Sequence, residues 1–267
     1  MKKLLKIVIP LLFLVVVVIL FFANSNLIKK EFPVLLYHQL TEDISETGDY
    51  CITVEQLEND LKYLKENGYE TITTAELLSY IKNDNELPAK PVMLTFDDGN
   101  ETVLTYLLPL LQKYDMSAVV SIVGDWIGDD GFLTWEQVTE LAESDKIEIQ
   151  NHSYDLHRVY PDGRKGLEKL DNETFEEYSS FVSADVVKLQ NLITEKTGQK
   201  PTAFTYPWGI NSDESKQVLK EIGFEAAFIV HDKINYIDCK NTEWLYQIGR
   251  INRPYGISSA EFFDDII

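Results

Sequence analysis

Pro91-Val92-Met93-Leu94-Thr95-Phe96-Asp97-Asp98-Gly99 is a short apolar run that stops abruptly at two carboxylates and a glycine. A run of that length and content suits a strand covered on both faces, and Asp97-Asp98-Gly99 has the composition of a strand-ending turn. Working outward, residues 101–114 form a helical pattern and 118–123 a second strand, followed by a helix over 135–143 and a strand over 147–150. A long helical region covers 172–197. Strand 203–206, helix 213–222, strand 226–230 and a last strand near 245–250 complete the C-terminal half. Upstream, 32–37 is a strand. Thr53 caps a helix whose Leu57, Leu61 and Leu64 recur at three- and four-residue spacing until Gly68 ends it, and a strand over 70–72 and a helix over 74–82 lead back to Pro91. No linker rich in Gly, Ser or Pro interrupts this alternation. It predicts an α/β fold with a largely parallel sheet under helices, and seven or eight strands favour a distorted (β/α)7–8 barrel over an open sheet.

The chain has 267 residues, 24 of them Lys or Arg and 44 Asp or Glu, for a net charge of −20. That balance argues against nucleic acid as a partner, because a phosphate backbone requires a basic face. The charge is uneven. Residues 1–30 hold Lys2, Lys3, Lys6, Lys29 and Lys30 and no acid, which leaves 19 basic against 44 acidic residues in 31–267. The acidic remainder is either a solvated exterior or a surface that attracts a cationic polymer. The unbroken apolar run 7–23 spans about 25 Å as a helix, near the lower limit for a bilayer. It is longer than a usual cleaved signal and lacks an A-x-A-like site. The expectation is an N-terminal transmembrane signal anchor in 1–30 with a single domain, 31–267, outside the cytoplasm; a cleaved signal is the alternative. The two cysteines, Cys51 and Cys239, exclude a disulfide-rich scaffold, and their pairing is not readable from sequence.

In barrels of this class the loops at the carboxyl ends of the strands build the site. The first strand ends in Tyr37-His38, and the strand over 91–96 in Asp97-Asp98. The strand over 147–150 runs into Asn151-His152-Ser153-Tyr154-Asp155-Leu156-His157, and that over 203–206 into Pro207-Trp208-Gly209. Three of the four histidines therefore converge with a carboxylate pair; the fourth, His231, also follows a strand. Two imidazoles and a carboxylate form a ligand set for a divalent ion with open positions. The adjacent aspartates then divide the work, one binding metal and the other free as a base.

Thr95-Phe96-Asp97-Asp98-Gly99, His152-Ser153-x-x-x-His157 and Thr205-Tyr206-Pro207-Trp208-Gly209 resemble, in order and spacing, the three signatures of the polysaccharide deacetylases, carbohydrate esterase family 4 with its NodB-homology domain. Two departures, the longer histidine spacing and Thr205 in place of an arginine, together with Val34-Leu35-Leu36-Tyr37-His38, resemble the branch that acts on poly-β-1,6-N-acetylglucosamine. The resemblance implies a metal-dependent hydrolase that removes N-acetyl groups from an extracellular polysaccharide of the biofilm matrix. It assigns Asp98, His152 and His157 to one divalent ion, with Zn2+ as the default and Co2+, Ni2+ or Fe2+ compatible. Asp97 becomes the base, His38 the acid and the Tyr206 N–H an oxyanion donor. Arg250 either holds Asp97 ionised or forms a barrel-end salt bridge. Pro207 and Trp208 are placed against substrate, with Tyr37 and Trp135 as further candidate sugar-stacking rings. Peptidoglycan and chitin oligomers are alternative substrates. A glycoside hydrolase fits adjacent carboxylates poorly, and a non-catalytic sugar-binding protein fits poorly with every expected catalytic position filled. The turn-rich stretch 158–171 carries Arg158, Arg164 and Lys165, which either contact substrate or bridge to local carboxylates. Protein partners are not readable.

Overall fold

The computed structural model describes residues 30–83 and 86–266. The proposed N-terminal anchor lies, apart from Lys30, outside the described residues, and among the described residues no helix is long and apolar enough to cross a membrane.

Seven parallel strands close into a barrel: β1 (Val34–Tyr37), β2 (Pro91–Phe96), β3 (Ala118–Ile122), β4 (Ile147–Asn151), β5 (Ala203–Thr205), β6 (Ala226–Val230) and β7 (Ile248–Asn252). Each pairs with its sequence neighbours, and β7 closes on β1 through Ile251 opposite Leu35 and Asn252 opposite Leu36. The β4–β5 seam is held by one register pair, Asn151 opposite Phe204, so the barrel is pinched there. The count is seven, at the lower end of the expected seven or eight.

The helices are α1 (Val54–Glu66), α2 (Thr74–Asn83), α3 (Leu108–Tyr114), α4 (Trp135–Glu143), α5 (Phe175–Thr197), α6 (Asp213–Ile222) and α7 (Ser259–Asp264). α1 forms as its sequence requires. Thr53 Oγ1 accepts the Gln56 N–H at 3.1 Å, and Leu57, Leu61 and Leu64 are fully buried. Burial stabilises by about 1.5–3 kcal/mol for each such side chain. α5 begins with a reciprocal cap between Thr174 and Glu177 and ends at left-handed Gly198.

Several boundaries differ from the sequence reading, each for a local reason. The expected strand over 32–37 is divided at Pro33, which has no N–H to give a ladder: Lys30–Phe32 pairs antiparallel with Asn235–Ile237 outside the barrel, and only Val34–Tyr37 enters it. The helix expected from 101 starts with a π turn, Val103–Leu107, because Pro109 cannot donate to the carbonyl four residues back. The last strand is Ile248–Asn252 rather than 245–250, since Thr242–Gln247 coils as a 3-10 turn. The pair Gln39–Thr41 and Cys51–Thr53 forms a small parallel ribbon that the sequence does not announce. Cys51 is half-buried, Cys239 is exposed, and both are free.

The barrel interior becomes polar toward the carboxyl ends of its strands. Thr95 Oγ1 donates to Leu35 O at 2.7 Å, and the hydroxyls of Ser121 and Thr205 meet at 2.7 Å. All three side chains are fully buried, and they form the floor beneath the strand-end residues.

Candidate active site

Asp97 leaves the end of β2 with its side chain pointing back over that floor, 2% exposed. Arg250 on β7, fully buried, meets it with two parallel bonds, Nη1 to Oδ1 at 2.6 Å and Nη2 to Oδ2 at 2.8 Å. Arg250 Nε also donates to Ile229 O at 3.3 Å, which fixes the plane of the fork. Burial opposes ionisation of Asp97, but the Arg250 guanidinium overrides it and holds the carboxyl at about 2. Of the two readings open for Arg250, pairing with Asp97 is therefore the one found.

Asp98 and Gly99 both take left-handed backbone, at φ +74° and +81°. A Cβ on Gly99 would stand 3.1 Å from Ile122 Cγ2, so the glycine is needed for this turn to pass β3. The turn separates the two carboxylates. Asp98 Oδ1 is buried without a hydrogen-bond partner, 3.5 Å from His152 Nε2 and 3.9 Å from His157 Nε2. His152 Nδ1 lies 2.8 Å from Thr205 O, so that nitrogen carries the proton and Nε2 is left as a lone-pair donor. The ligand atoms of Asp98, His152 and His157 all lie within 4.8 Å of one another. Two ligands about 2.0 Å from one tetrahedral ion stand about 3.3 Å apart, so the cluster needs only a small contraction. An orphaned carboxylate oxygen facing two imidazoles fits a divalent cation. Burial, reinforced by neighbouring His152, pushes the His157 pKa down to about 4, which keeps that ligand neutral. Burial also works against a charged His152, but Asp97 and Asp98 outweigh it and raise its pKa; a cation in the cluster would take the place of that proton.

His38, just beyond β1, faces the same cavity of about 420 Å³, which is lined by Asp97, Asp98, His152, His157, Tyr206 and Trp208 among others. Its Nδ1 is buried without a partner, and its ring meets Tyr50 edge-on at 4.9 Å. Burial lowers its pKa against the pull of Asp97 and Asp98. Every polar side chain expected at the site is thus in one cavity, except that Arg250 acts from beneath it.

Four expectations are corrected. The Tyr206 N–H donates to Phe228 O at 3.1 Å within the barrel ladder, so it is not available to an oxyanion. The next N–H along the chain is that of Trp208, a residue that lines the cavity and is itself left-handed at φ +53°. Pro207 is buried and does not line the cavity. Tyr37 is not a sugar platform: it is 2% exposed, stacks on Phe96 at 4.9 Å and bonds Asp60. Trp135 packs against the core, away from the cavity lining. Trp208 does line the cavity at 39% exposure, with its ring 4.4 Å from that of His157 and Lys165 Nζ 4.8 Å away on the ring. Arg158 and Arg164 bridge to local carboxylates, Arg158 to Asp125 and Asp155 and Arg164 to Glu173. His231 is exposed. Tyr50, Asn100, Phe132 and Val230 also line the cavity. Tyr50, Asn100 and Phe132 carry no spacing signal, because loop paths place them, whereas Val230 is the last residue of β6.

The comparisons with known proteins agree with this geometry. The chain is 26% identical over 263 residues to the poly-β-1,6-N-acetyl-D-glucosamine N-deacetylase of Escherichia coli K12, covering 88% of this chain but 38% of that protein. It is 25% identical over 233 residues to the protein of the same name from Staphylococcus epidermidis, covering 85% of this chain and 76% of that one. Among solved structures it superposes on a de-N-acetylase from Aggregatibacter actinomycetemcomitans with a TM-score of 0.74 at 25% identity, covering 88% of this chain and all of the other. It also superposes on IcaB from Ammonifex degensii with a TM-score of 0.71 at 25% identity, covering 84% and 92%. The family model for polysaccharide deacetylase matches residues 84–227, more than half of the chain and the span that holds all three signatures. By that match, with its strand-end residues gathered in one cavity, the chain belongs to the polysaccharide deacetylase family.

Proposed function

We propose that this protein is a metal-dependent N-deacetylase, a hydrolase of a non-peptide C–N bond, and that its substrate is extracellular poly-β-1,6-N-acetylglucosamine. The observation that carries the reading is the division of labour between adjacent aspartates. Asp97 is locked to Arg250, while Asp98 turns an unpartnered oxygen toward two imidazoles. That arrangement leaves no pair of free carboxylates to work across a glycosidic bond, as a glycoside hydrolase requires.

A single divalent ion on Asp98, His152 and His157, zinc by default, would supply Lewis-acid polarisation of the acetamide carbonyl and of an attacking water. Asp97, kept ionised by Arg250, takes the proton from that water as its oxygen bonds to the carbonyl carbon. The Trp208 N–H, in place of that of Tyr206, meets the developing oxyanion, a contact worth about 2.7–4 kcal/mol in the transition state. His38 delivers a proton to the nitrogen as the C–N bond breaks, because an amine leaves far more readily than its anion. Asp97 and Asp98 favour the imidazolium that this step requires, against the burial that opposes it. Acetate and a glucosamine unit are the products.

The names of the relatives support the β-1,6 polymer as substrate. Lys2, Lys3 and Lys6 followed by the apolar run 7–23 support a domain held outside the cytoplasm by an N-terminal anchor. The test is acetate release by the purified protein with added zinc from β-1,6-linked and β-1,4-linked N-acetylglucosamine oligomers and from peptidoglycan, with Asp98→Asn as control. Release from the β-1,6 oligomer that is lost in the control is the expected result. Release only from another substrate would overturn the polymer assignment, and reducing ends without acetate would overturn the reaction.

A further inference from the structure

The segment between the two histidines is wired through its backbone. Ser153, at φ +71°, gives its N–H to Asn151 Oδ1 at 2.8 Å, and its carbonyl accepts from the Gly124 N–H at 3.1 Å. The Tyr154 N–H donates to Asp185 Oδ1 at 2.7 Å, and its carbonyl accepts from the Asp125 N–H at 2.7 Å. The Asp155 N–H donates to Asp185 Oδ2 at 2.8 Å, and its carbonyl accepts from Tyr160 Oη at 2.9 Å. All six backbone groups of Ser153–Asp155 have named partners, and one carboxylate on α5 supplies two of them. Asn151 is anchored to the same stretch of helix, its Nδ2 donating to Val186 O at 2.9 Å.

Asp185 makes no ion pair with Lys or Arg among the described residues; nearby Lys188 sits over the Tyr154 ring instead. Burial pushes its carboxyl up to about 6 against the two N–H donors. A half-buried carboxylate without a direct ion pair is costly, and here both of its oxygens are spent on backbone N–H groups two and three residues before His157.

We propose that Asp185 is a positioning residue for the Asp98, His152 and His157 cluster: by accepting the Tyr154 and Asp155 N–H groups it holds residues 153–156 in the shape that brings His157 beside His152. Two peptide bonds separate Asp155, the last residue that Asp185 holds, from His157, so the loop conformation sets where that imidazole stands. The inference rests on the cluster being a metal site, and its test separates the two claims.

Zinc affinity of the metal-stripped full chain is measured by competition with a chromophoric chelator, alongside thermal unfolding. The wild-type protein provides the baseline. Asp185→Asn, which turns one acceptor into a donor facing an N–H, is expected to bind zinc about 10-fold more weakly, the lower end of the range found when a group bonded directly to a metal ligand is removed, since Asp185 acts through the loop backbone. Tyr160→Phe, a milder change that leaves only Asp155 O without its donor, is expected to move the affinity in the same direction by less. Gln190→Ala, on the same helix but bonded to Pro201 O, is the control for stability alone. It is expected to lower the unfolding midpoint without changing zinc affinity. Zinc affinity that stays at the wild-type value in both Asp185→Asn and Tyr160→Phe, or that falls equally in Gln190→Ala, would overturn the proposal. A wild-type protein that binds no zinc, or binds it equally well as His152→Ala, would overturn the metal reading beneath it.

Discussion

Arg250→Met separates a structural from an electrostatic role for the deepest pair in the barrel. The substitution keeps most of the side-chain volume and removes two charge-assisted bonds, of 2.6 and 2.8 Å, from a carboxylate that is 2% exposed. Breaking a buried pair on one side costs about 3–5 kcal/mol at neutral pH, because the remaining charge has no compensation. The pH dependence carries the sharper statement. In the wild type the Asp97 carboxyl falls from an ordinary 3.8 to about 2, a difference worth about 2 kcal/mol. A depressed carboxyl contributes stability that is fully present above about pH 4 and is lost as pH falls toward 2. In the variant, burial dominates and the carboxyl rises above 3.8, so protonation relieves the buried charge and stability recovers as pH falls. Urea unfolding of the metal-free protein between pH 7 and 3 should therefore show a wild-type advantage that is largest at neutral pH and shrinks below about 4. Arg250→Lys, with its charge but not its planar fork, should fall between the two. A stability difference that stays constant across this range would refute the reasoning and reduce Arg250 to a packing group.

Protonation of Asp185 should work in the opposite sense. Its carboxyl is raised to about 6 from an ordinary 3.8, so its contribution is fully present below about pH 4 and is lost as pH rises through 6, by about 2–3 kcal/mol before allowance for its partial exposure; the difference between wild type and Asp185→Asn in chemical unfolding at pH 4 and pH 7 reads it. Gly124→Ala would bring a Cβ to 2.5 Å from Tyr154 Cδ2 and 3.0 Å from Leu189 Cδ1, an overpacking of about 1–3 kcal/mol that should lower the midpoint by several degrees in a thermal melt. Tyr37→Phe removes one of the donors to buried Asp60, which also accepts from Arg253 and Ser259, and should cost about 1 kcal/mol in urea unfolding; a neutral result would mean that the 3.1 Å bond contributes nothing net.

The sequence by itself determined much of this protein, because the decisive information is local. Apolar runs bounded by turns are buried strands wherever they occur, and in a parallel barrel every strand delivers its last residues to the same face. His38, Asp97, Asp98, His152 and His157 could therefore be gathered from the segments that follow three strands, without knowing a single contact. Only the tertiary structure decided the pairings. Arg250 and Asp97 are 153 residues apart, and only the closure of β7 onto β1 and β1 onto β2 turns the guanidinium toward that carboxylate. Tyr37 looked like a ring at a strand end, but it faces outward to Asp60, since neighbouring strand residues point to opposite sides and His38 takes the inner one. The Tyr206 N–H matched a motif position, yet barrel register commits it to Phe228 O. Asp185 sits in the middle of a helix with no motif around it. Its role exists only because α5 packs beside a loop some thirty residues earlier in the chain, where two backbone N–H groups lacked acceptors. Residue identity and spacing record which groups are present; which donor meets which acceptor depends on register, packing and turn conformation, and those are settled only when the whole barrel closes.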